Sequence, residues 1–414
     1  MRTRQVCLMI LISLIPLHAP LPAASEEPGL PRALSLTAAL EFAMRQNPGL
    51  QADAALRSMA RGDTTAAATL ANPLFLFRSE DFNGGSLIDR HTLFLEFKQE
   101  IETGGKRSRR TAAAEANQRA IEANVENAAR LLRFGVQEAY YQVVFAKAEL
   151  EAAREVLTDF DRVVRFNEDR FRAGEVSGGD LRRVQVDRFR RYNDLVSAEL
   201  SLKQAKASLL TLLGVTDLTV EFEVTEELGK PQVAAALPSL RAEAVRARPD
   251  LKAQHHRILR AREQLNLERA SRFPNLSPFV GYKRDFGQDA VVFGVEIPLP
   301  LFNRNQGGIL RATAEAERES FQRQRIEAQV LLELDQAFNR FEAERQRLEA
   351  LELDYLPKAR ESREIADRAY QLGTMDLDVF LDVQGAFRDL RRLYHRSLYD
   401  LNIARLQVEA AIGR

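Results

Sequence analysis

Three aspartates follow a glycine turn late in the chain, and their spacing is the clearest chemical signal in the sequence. Asp376, Asp378 and Asp382 open a predicted helix just after Gly373. Asp378 and Asp382 are four residues apart, so a helix places them on one face. Grouped carboxylates attract cations and can bind a divalent ion. An acidic first turn also stabilises a helix through its dipole, so a purely structural role stays open.

Other residue types that often do chemistry give weaker signals. The histidines outside residues 1–24 are His91, His255, His256 and His395. No HExxH or CxxC spacing accompanies them, so we expect no metal site. The segment 104–108 is similar to a phosphate loop, but Glu100 stands where that loop needs its first glycine. No nucleophile with a nearby base stands out, so the sequence predicts neither an enzyme nor a bound cofactor.

The charge balance gives no sign of a nucleic-acid partner. The 414 residues include 59 basic and 59 acidic side chains, for a net charge of zero. The longest basic run, residues 106–110, lacks the interleaved aromatic side chains of a strand-binding groove. We therefore expect no binding to nucleic acid.

The first residues are typical of a secretory signal peptide. Arg2 and Arg4 precede an apolar run over 6–16, and small residues follow at 23–25. This three-part pattern predicts a cleaved signal peptide over residues 1–24. The apolar run is shorter than the roughly 20 residues that a membrane-spanning helix requires. The only cysteine, Cys7, lies inside this run, so the mature chain is expected to have no thiol.

The rest of the chain is a tandem duplication with a spacing of about 200 residues. The stretch 43–50 recurs as 244–251, and the turn 171–174 recurs as 370–373. Each copy closes with a glycine, Gly214 or Gly413. A repeat at this spacing indicates two copies of one supersecondary unit. We predict a first repeat over 25–214, an equatorial linker segment over 215–236 and a second repeat over 237–414.

Very long helices dominate each predicted repeat. Apolar residues recur every three or four positions over 107–173 and again over 306–372, which is typical of a coiled-coil seam. In the second copy the predicted seam runs through Tyr355 and Ser362. Each long helix would extend about 100 Å, deeper than any ordinary globular core. Shorter helices are predicted over 36–70, 179–213, 237–271 and 376–412.

Each repeat also contains a pair of predicted strands that suit a membrane. The four strands are predicted over 73–82, 91–101, 275–286 and 290–299. Their length, about 10 to 12 residues, suits a tilted transmembrane strand. Leu93, Leu95 and Phe97 share one face, opposite Glu96 and Lys98, as a wall between lipid and water requires. A water-soluble sheet packed on the helices is the alternative.

Four strands cannot close a barrel inside a membrane. An open edge would leave backbone groups unpaired in hydrocarbon, and single-chain barrels begin at about eight strands. Three chains would contribute twelve strands and a pore wide enough to stay open.

Taken together, these features give the chain a clear family resemblance. It resembles the TolC-like outer-membrane factors over essentially its whole mature length. The segments 102–107 and 298–307 are similar to the strand-to-helix connections of the CzcC-like branch, and 370–374 is similar to the periplasmic tip of the family. The resemblance implies a mainly α fold with a membrane β-barrel contribution. It also implies a homotrimer with a 12-stranded barrel and a helical periplasmic tunnel in the Gram-negative outer membrane.

The same resemblance implies a function in export. Members of this branch are passive exit ducts of tripartite efflux systems, so heavy-metal cations are the expected cargo. The implied partners are a periplasmic adaptor (membrane fusion protein), an inner-membrane RND-type transporter and outer-membrane lipid. An exit duct for drug efflux or type I protein secretion is an alternative. A periplasmic coiled-coil scaffold or adaptor is an alternative of another class.

The resemblance also assigns candidate site residues. Asp376, Asp378 and Asp382 are candidates for a lumen gate. The family often has two aspartates three residues apart there, whereas here Val379 occupies one expected position. The candidates for contact with the adaptor at the helix tips are Arg172, Gly174, Glu175, Gly373 and Thr374.

Overall fold

A computed structural model describes residues 29–81, 91–233, 235–285 and 287–414. The predicted signal peptide, its cleavage site and the predicted loop over 83–90 lie outside the described residues. Among the helices in the described ranges, none combines the length and hydrophobicity needed to cross a bilayer.

The order of elements is the same in both halves of the chain. The first half contains β1 (Ala33–Leu34), α1 (Leu36–Gln46), α2 (Pro48–Ala68), β2 (Leu74–Asp81), β3 (His91–Lys98), α3 (Lys106–Arg172) and α4 (Gly178–Leu213). The second half contains β4 (Glu223–Val224), α5 (Leu237–Ala247), α6 (Pro249–Ala270), β5 (Ser277–Asp285), β6 (Gln288–Glu296), α7 (Gln306–Ala350), a π turn (Leu351–Tyr355), α8 (Leu356–Gln371) and α9 (Leu377–Ala411). The structure therefore contains a tandem duplicated unit.

Each predicted short helix near the start of a repeat is in fact two helices. The prediction of unbroken helices over 36–70 and 237–271 was wrong, because α2 begins at Pro48 and α6 begins at Pro249. Proline lacks the N–H that a continuing helix needs and favours an extended residue before it. The side chain of Asn47, at the first break, accepts a hydrogen bond from Leu50 N at 3.0 Å.

Glycines let the return helices end against these breaks. Gly214 and Gly413 have left-handed backbones, with φ of 83° and 95°. A Cβ atom on Gly214 would lie 2.8 Å from the carbonyl oxygen of Gln46. Only glycine fits a left-handed residue packed this closely.

The two long helices differ, although the sequence predicted the same helix twice. α3 is continuous over its 67 residues, which corresponds to about 100 Å. The helix predicted over 306–372 is interrupted by the π turn. Pro357 follows this turn and would clash with the carbonyl of Leu353 in a regular α-helix. A π turn accommodates the proline by changing the hydrogen-bond spacing.

The π turn also shifts the apolar seam of the second copy. Tyr355 is 54% exposed and Ser362 is also exposed, so the predicted seam through them was wrong. Burial resumes at Ala366 and Tyr370. The seam of α3 keeps its register, with Val136, Val143 and other predicted positions buried.

One antiparallel sheet joins the strand pairs of the two repeats. Its order is β2-β3-β5-β6, so β3 and β5 pair across the duplication. The strands have 8 or 9 residues, slightly shorter than predicted. β2 and β6 form the two edges of the sheet. Large apolar side chains on the sheet are exposed, including Phe77, Val280 and Phe293.

The helices form a wall whose lateral order follows that of the sheet. We call the half of the wall next to the sheet the sheet half. Its helices pack side by side in the order α2-α3-α6-α7. We call the half that ends at the glycine turns the tip half. Its helices pack side by side in the order α4-α3-α9-α8. The edges of the wall are therefore α2 and α7 in the sheet half, and α4 and α8 in the tip half.

The main hydrophobic clusters lie where the two halves of the wall meet. One joins α1, α3 and α4, and the other joins α5, α7 and α9. Leu228, in the segment between the repeats, packs against both clusters. That segment is fixed further because β4 pairs in parallel with β1.

Candidate functional site

The two glycine turns have the same backbone geometry. Gly174 and Gly373 are left-handed, with φ of 78° and 73°. Glu175 N donates to Arg170 O at 2.9 Å, and Thr374 N donates to Ala369 O at the same distance. These bonds satisfy carbonyls at the end of each long helix, as in a Schellman motif. Each turn reverses the chain and starts the return helix.

The structure brings the two turns to the same end of the wall. Tyr370 Oη donates to Asn167 Oδ1 at 2.6 Å, which joins α8 to α3. Tyr370 also stacks on Phe380 with ring centroids 4.3 Å apart. The Arg170 guanidinium lies 5.7 Å from the centre of the Tyr370 ring. Burial raises the pKa of the Tyr370 hydroxyl, which stays a neutral donor. These contacts bind the two tips into one unit, here called the tip cluster.

The predicted tip residues lie on the exposed end of this unit. Arg172 Nη1 pairs with Asp169 Oδ1 at 3.1 Å, and both side chains are mostly exposed. Glu175 Oε2 accepts from Arg170 Nε at 3.1 Å. Thr374 Oγ1 donates to a backbone carbonyl at 3.0 Å. The contacts within the chain therefore leave these side chains accessible to a partner.

The three predicted gate aspartates lie just beyond the second turn. Asp376 is the N-cap residue of α9, yet its side chain makes no capping bond. Asp378 and Asp382 are exposed residues of α9, four positions apart. Asp378 Oδ1 lies 2.5 Å from Arg183 Nη1 of α4. Asp382 takes part in none of the ion pairs among the described residues.

Sequence reasoning missed two residues of this site. Asn167 lies three positions after Val164, where the seam of α3 continues, so a polar residue in an apolar register was a usable signal. Arg183 is one of many arginines on α4, and its pairing with Asp378 depends on how the two repeats pack. No local pattern distinguishes it.

The histidines do not form a metal centre with other potential ligands. Among the described residues no three His, Cys, Asp or Glu side chains are placed to hold an ion together. His255 is exposed, and its neighbour His256 is partly buried. Burial lowers the pKa of His256, and the nearby His255 lowers it further.

A comparison with protein families shows to which family of proteins the chain belongs. Residues 40–215 and 240–414 match the model of the family described as "Outer membrane efflux protein". The chain belongs to the outer membrane efflux protein family. The two matched ranges cover most of the chain and lie on either side of the segment between the repeats. The chain is therefore an efflux protein of the outer membrane.

Individual members of the outer membrane efflux protein family resemble the chain over most of its length. The cobalt-zinc-cadmium resistance protein CzcC of Cupriavidus metallidurans is 25% identical over 92% of this chain and 90% of that protein. The pyoverdine export outer membrane protein OpmQ of Pseudomonas aeruginosa is 24% identical over 79% of this chain and 69% of that protein.

Solved structures of similar proteins share the fold. The structure of CusC superposes with a TM-score of 0.79 at 18% identity and covers 91% of this chain and 92% of CusC. The outer membrane protein VceC of Vibrio cholerae gives a TM-score of 0.78 at 21% identity, covering 91% of this chain and 96% of VceC. The predicted mainly α fold with a duplicated unit is confirmed.

Proposed function

We propose that this chain is one of three identical protomers of a passive exit duct in a tripartite efflux system. Three four-stranded sheets would close one 12-stranded barrel in the outer membrane. The helices would continue the duct as a periplasmic tunnel. Such a duct performs no chemical reaction, so the proposal includes no enzymatic activity. One observation carries this proposal: among the described residues, the sheet and the wall of helices each have two open edges.

The sheet edges require a partner if the sheet lies in lipid. Within the described part of the chain, β2 and β6 each pair on one side only. An unpaired backbone group in hydrocarbon costs several kcal/mol, so the edges of neighbouring copies must pair. Two copies would give eight strands, whose interior side chains fill the barrel, whereas three copies leave a pore.

The helix edges carry exposed apolar side chains in both halves of the wall. In the sheet half these are Met59 of α2 and Leu310, Phe321 and Leu332 of α7. In the tip half they are Val186, Phe189, Val196 and Leu200 of α4 and Ile365 of α8. Apolar surface of this extent marks an interface. Closing the ring would place α2 against α7 of the next copy, and α4 against α8.

The tips and the aspartates lie at the same end of the wall, which would be the periplasmic end of the duct. Exposed helix-turn-helix ends are natural docking surfaces for a coiled coil of the adaptor, which would link the duct to an inner-membrane RND-type transporter. Around a threefold axis, Asp378 and Asp382 of each copy would gather six carboxylates. Such a ring would attract cations and restrict the resting duct.

Heavy-metal cations are the proposed cargo. The similarity to the cobalt-zinc-cadmium resistance protein over 92% of the chain supports this. A strain without the gene should become sensitive to cobalt, zinc or cadmium and recover when the gene is restored. Sensitivity to organic compounds alone, or a loss of secreted protein, would instead favour the alternative cargoes.

Cross-linking tests the ring directly. The mature chain is expected to have no native thiol, so two introduced cysteines would be the only ones. Phe189→Cys on α4 combined with Ile365→Cys on α8, treated with a short bismaleimide, should yield covalent trimers in denaturing gels. The control replaces Phe189→Cys with Leu131→Cys, an exposed site on α3 inside the wall. Equal products from both pairs, or only monomers, would contradict the proposed ring.

A further inference from the structure

The connection between β6 and α7, residues 297–305, exposes four large apolar side chains: Ile297, Leu299, Leu301 and Phe302. We call it the apolar connection. Leu299 is 74% exposed, Leu301 is 65% exposed and Phe302 is 92% exposed. The exposed fraction of Phe302 is the highest among the large hydrophobic side chains of the described residues. A cluster of this kind in water lacks its partner.

The apolar connection is held in place by hydrogen bonds. Asn305 adopts a left-handed backbone with φ of 59°. Its side-chain nitrogen donates to the Glu268 carbonyl at 2.9 Å and to the Glu268 carboxylate at 2.6 Å. Leu301 N donates to Leu299 O at 2.9 Å. The fold therefore presents these apolar side chains in a defined turn fixed to the end of α6.

The matching connection of the first repeat is different. It comprises residues 99–105, between the end of β3 and the start of α3, and is two residues shorter than 297–305. It carries Glu100 and Glu102, and its one large apolar residue, Ile101, forms a β-bridge with Leu276. A strand-to-helix connection in this fold can therefore be polar. Ile101 is itself 49% exposed, but a run of several exposed large apolar side chains is found in the connection of the second copy.

Three exposed arginines lie in the apolar connection or close along the chain to the ends of the two helices beside it. Arg304 lies within it, Arg272 lies two residues after the end of α6, and Arg311 lies in the second turn of α7. None of the ion pairs among the described residues includes them. Glu268, the nearest carboxylate in the hydrogen-bond network, is already engaged by Asn305. The apolar side chains are thus bordered by uncompensated positive charge.

We propose that the apolar connection is a membrane-interface anchor that binds anionic phospholipid at the periplasmic face of the outer membrane. This inference rests on the proposed function, which places the sheet in the membrane and the start of α7 just below it. Leu299, Leu301 and Phe302 enter the acyl-chain boundary, where aromatic side chains concentrate. The arginines donate to lipid phosphates, which match the geometry of the guanidinium group.

The neighbouring copy is the other available occupant, and charge argues against it. Ring closure places β6 beside β2 of the next copy, so the nearest segment of that copy is residues 69–73. That segment contains no carboxylate that could pair with the arginines. Its Leu70 could cover part of the apolar surface but none of the positive charge. Anionic lipid can cover the apolar side chains with its acyl chains and pair with the arginines through its phosphate.

A single tryptophan can report what surrounds the connection, because the chain has none of its own. The Phe302→Trp variant is purified as the full assembly and placed in vesicles whose acyl chains are brominated, since bromine quenches tryptophan on contact. Quenching is expected in both phosphatidylcholine and phosphatidylglycerol vesicles. In mixtures of the two lipids, binding should favour the anionic lipid on the order of fivefold for each arginine near the surface. Adding Arg304→Gln should reduce this preference.

Two further variants separate the anchor from the proposed function. Phe293→Trp reports an exposed position on β6, and Phe341→Trp reports the buried core near the waist. If the first is quenched while Phe302→Trp is not, the sheet is in lipid and the anchor is wrong. If neither Phe293→Trp nor Phe302→Trp is quenched, the proposed placement of the sheet in the membrane fails too.

Two remaining outcomes are equally decisive. In the lipid mixtures, equal quenching of Phe302→Trp whichever of the two lipids carries the bromine overturns the preference for anionic headgroups. Leu301→Trp repeats the measurement at a second exposed site, in case Phe302→Trp does not fold. Protection of both variants from quenching assigns this surface to the neighbouring copy.

Discussion

Arg183 Nη1 lies 2.5 Å from Asp378 Oδ1, so an arginine of the first repeat pairs with a carboxylate of the second repeat at the start of α9. Both side chains are more than half exposed, so the pair contributes little to stability. Its importance lies in the charge balance of the proposed gate. One of the two carboxylates that share a face is already compensated, and Asp382 is left to attract cations.

Removal of this arginine should make the duct more cation-selective. Arg183→Ala exposes three further carboxylates in a trimer, whereas Asp378→Ala and Asp382→Ala each remove three. Reversal potentials in planar bilayers under a salt gradient should shift towards the cation limit for the first variant and away from it for the others. Arg188→Ala is the control, since Arg188 lies on the same helix but pairs with Asp161 at 2.6 Å. Unchanged potentials for all three gate variants would exclude this filter.

The hydrogen bond between Tyr370 and Asn167 should matter for the stability of the tip cluster. Tyr370→Phe leaves the buried amide oxygen of Asn167 without its donor, which costs about 1 to 3 kcal/mol. Thermal unfolding followed by circular dichroism should therefore begin at a lower temperature. Tyr192→Phe removes a hydroxyl from an exposed ring and should have no such effect. Identical unfolding curves for the two variants would show that the bond is not stabilising.

Asp250 should stabilise the waist through the buried Arg248. Arg248 Nη2 lies 2.6 Å from Asp250 Oδ2, and Arg248 Nη1 lies 2.7 Å from Glu333 Oε2. Asp250→Ala leaves the buried guanidinium with one partner fewer, at a cost of about 3 kcal/mol. Asp335→Ala, which breaks the exposed pair with Arg241, should cost less than about 1 kcal/mol. The melting temperatures of Asp250→Ala and Asp335→Ala at pH 7 measure the two losses of stability.

The same pair predicts a pH dependence. Burial alone would raise the pKa of Asp250, but the hydrogen bonds and charge of Arg248 outweigh it and hold that pKa below its usual value. A depressed carboxyl pKa stabilises the fold above the unfolded value of about 3.9, and this stabilisation is lost as the pH falls through the folded value. The melting temperatures of the native protein and Asp250→Asn should therefore converge below about pH 4. A constant difference down to pH 2 would contradict the linkage.

The π turn should be the part of the long helices that opens most readily. Pro357 has no backbone N–H to donate to the turn, so amides over 351–356 should exchange faster than those over 152–157, the matching stretch of α3. Pro357→Ala restores a donor and should reduce the difference. Hydrogen exchange with mass spectrometry resolves both segments. Equal protection in the native protein would show that the interruption is not a weak point.

Local patterns in the sequence were enough to predict the duplicated architecture and the strands of the sheet. The repeated prolines, the closing glycines and the period-two stretch around Phe97 each report a backbone requirement that neighbouring residues can express. The π turn was missed because Pro357 stands inside a regular apolar pattern, which favoured one unbroken helix. Arg183 was missed because its partner is 195 positions away and is chosen by the packing of the two copies.

α3 runs through both halves of the wall as one uninterrupted helix, and this has an evolutionary consequence. An inserted or deleted residue in a continuous helix rotates everything beyond it by about 100° and shifts it by about 1.5 Å. Such a change within α3 would turn the tip half out of register with the sheet half. The second copy already contains an irregular turn at which a change of length is absorbed. Length variation among descendants of the duplication should therefore accumulate near residues 351–355 and be purged from the corresponding stretch of the first copy.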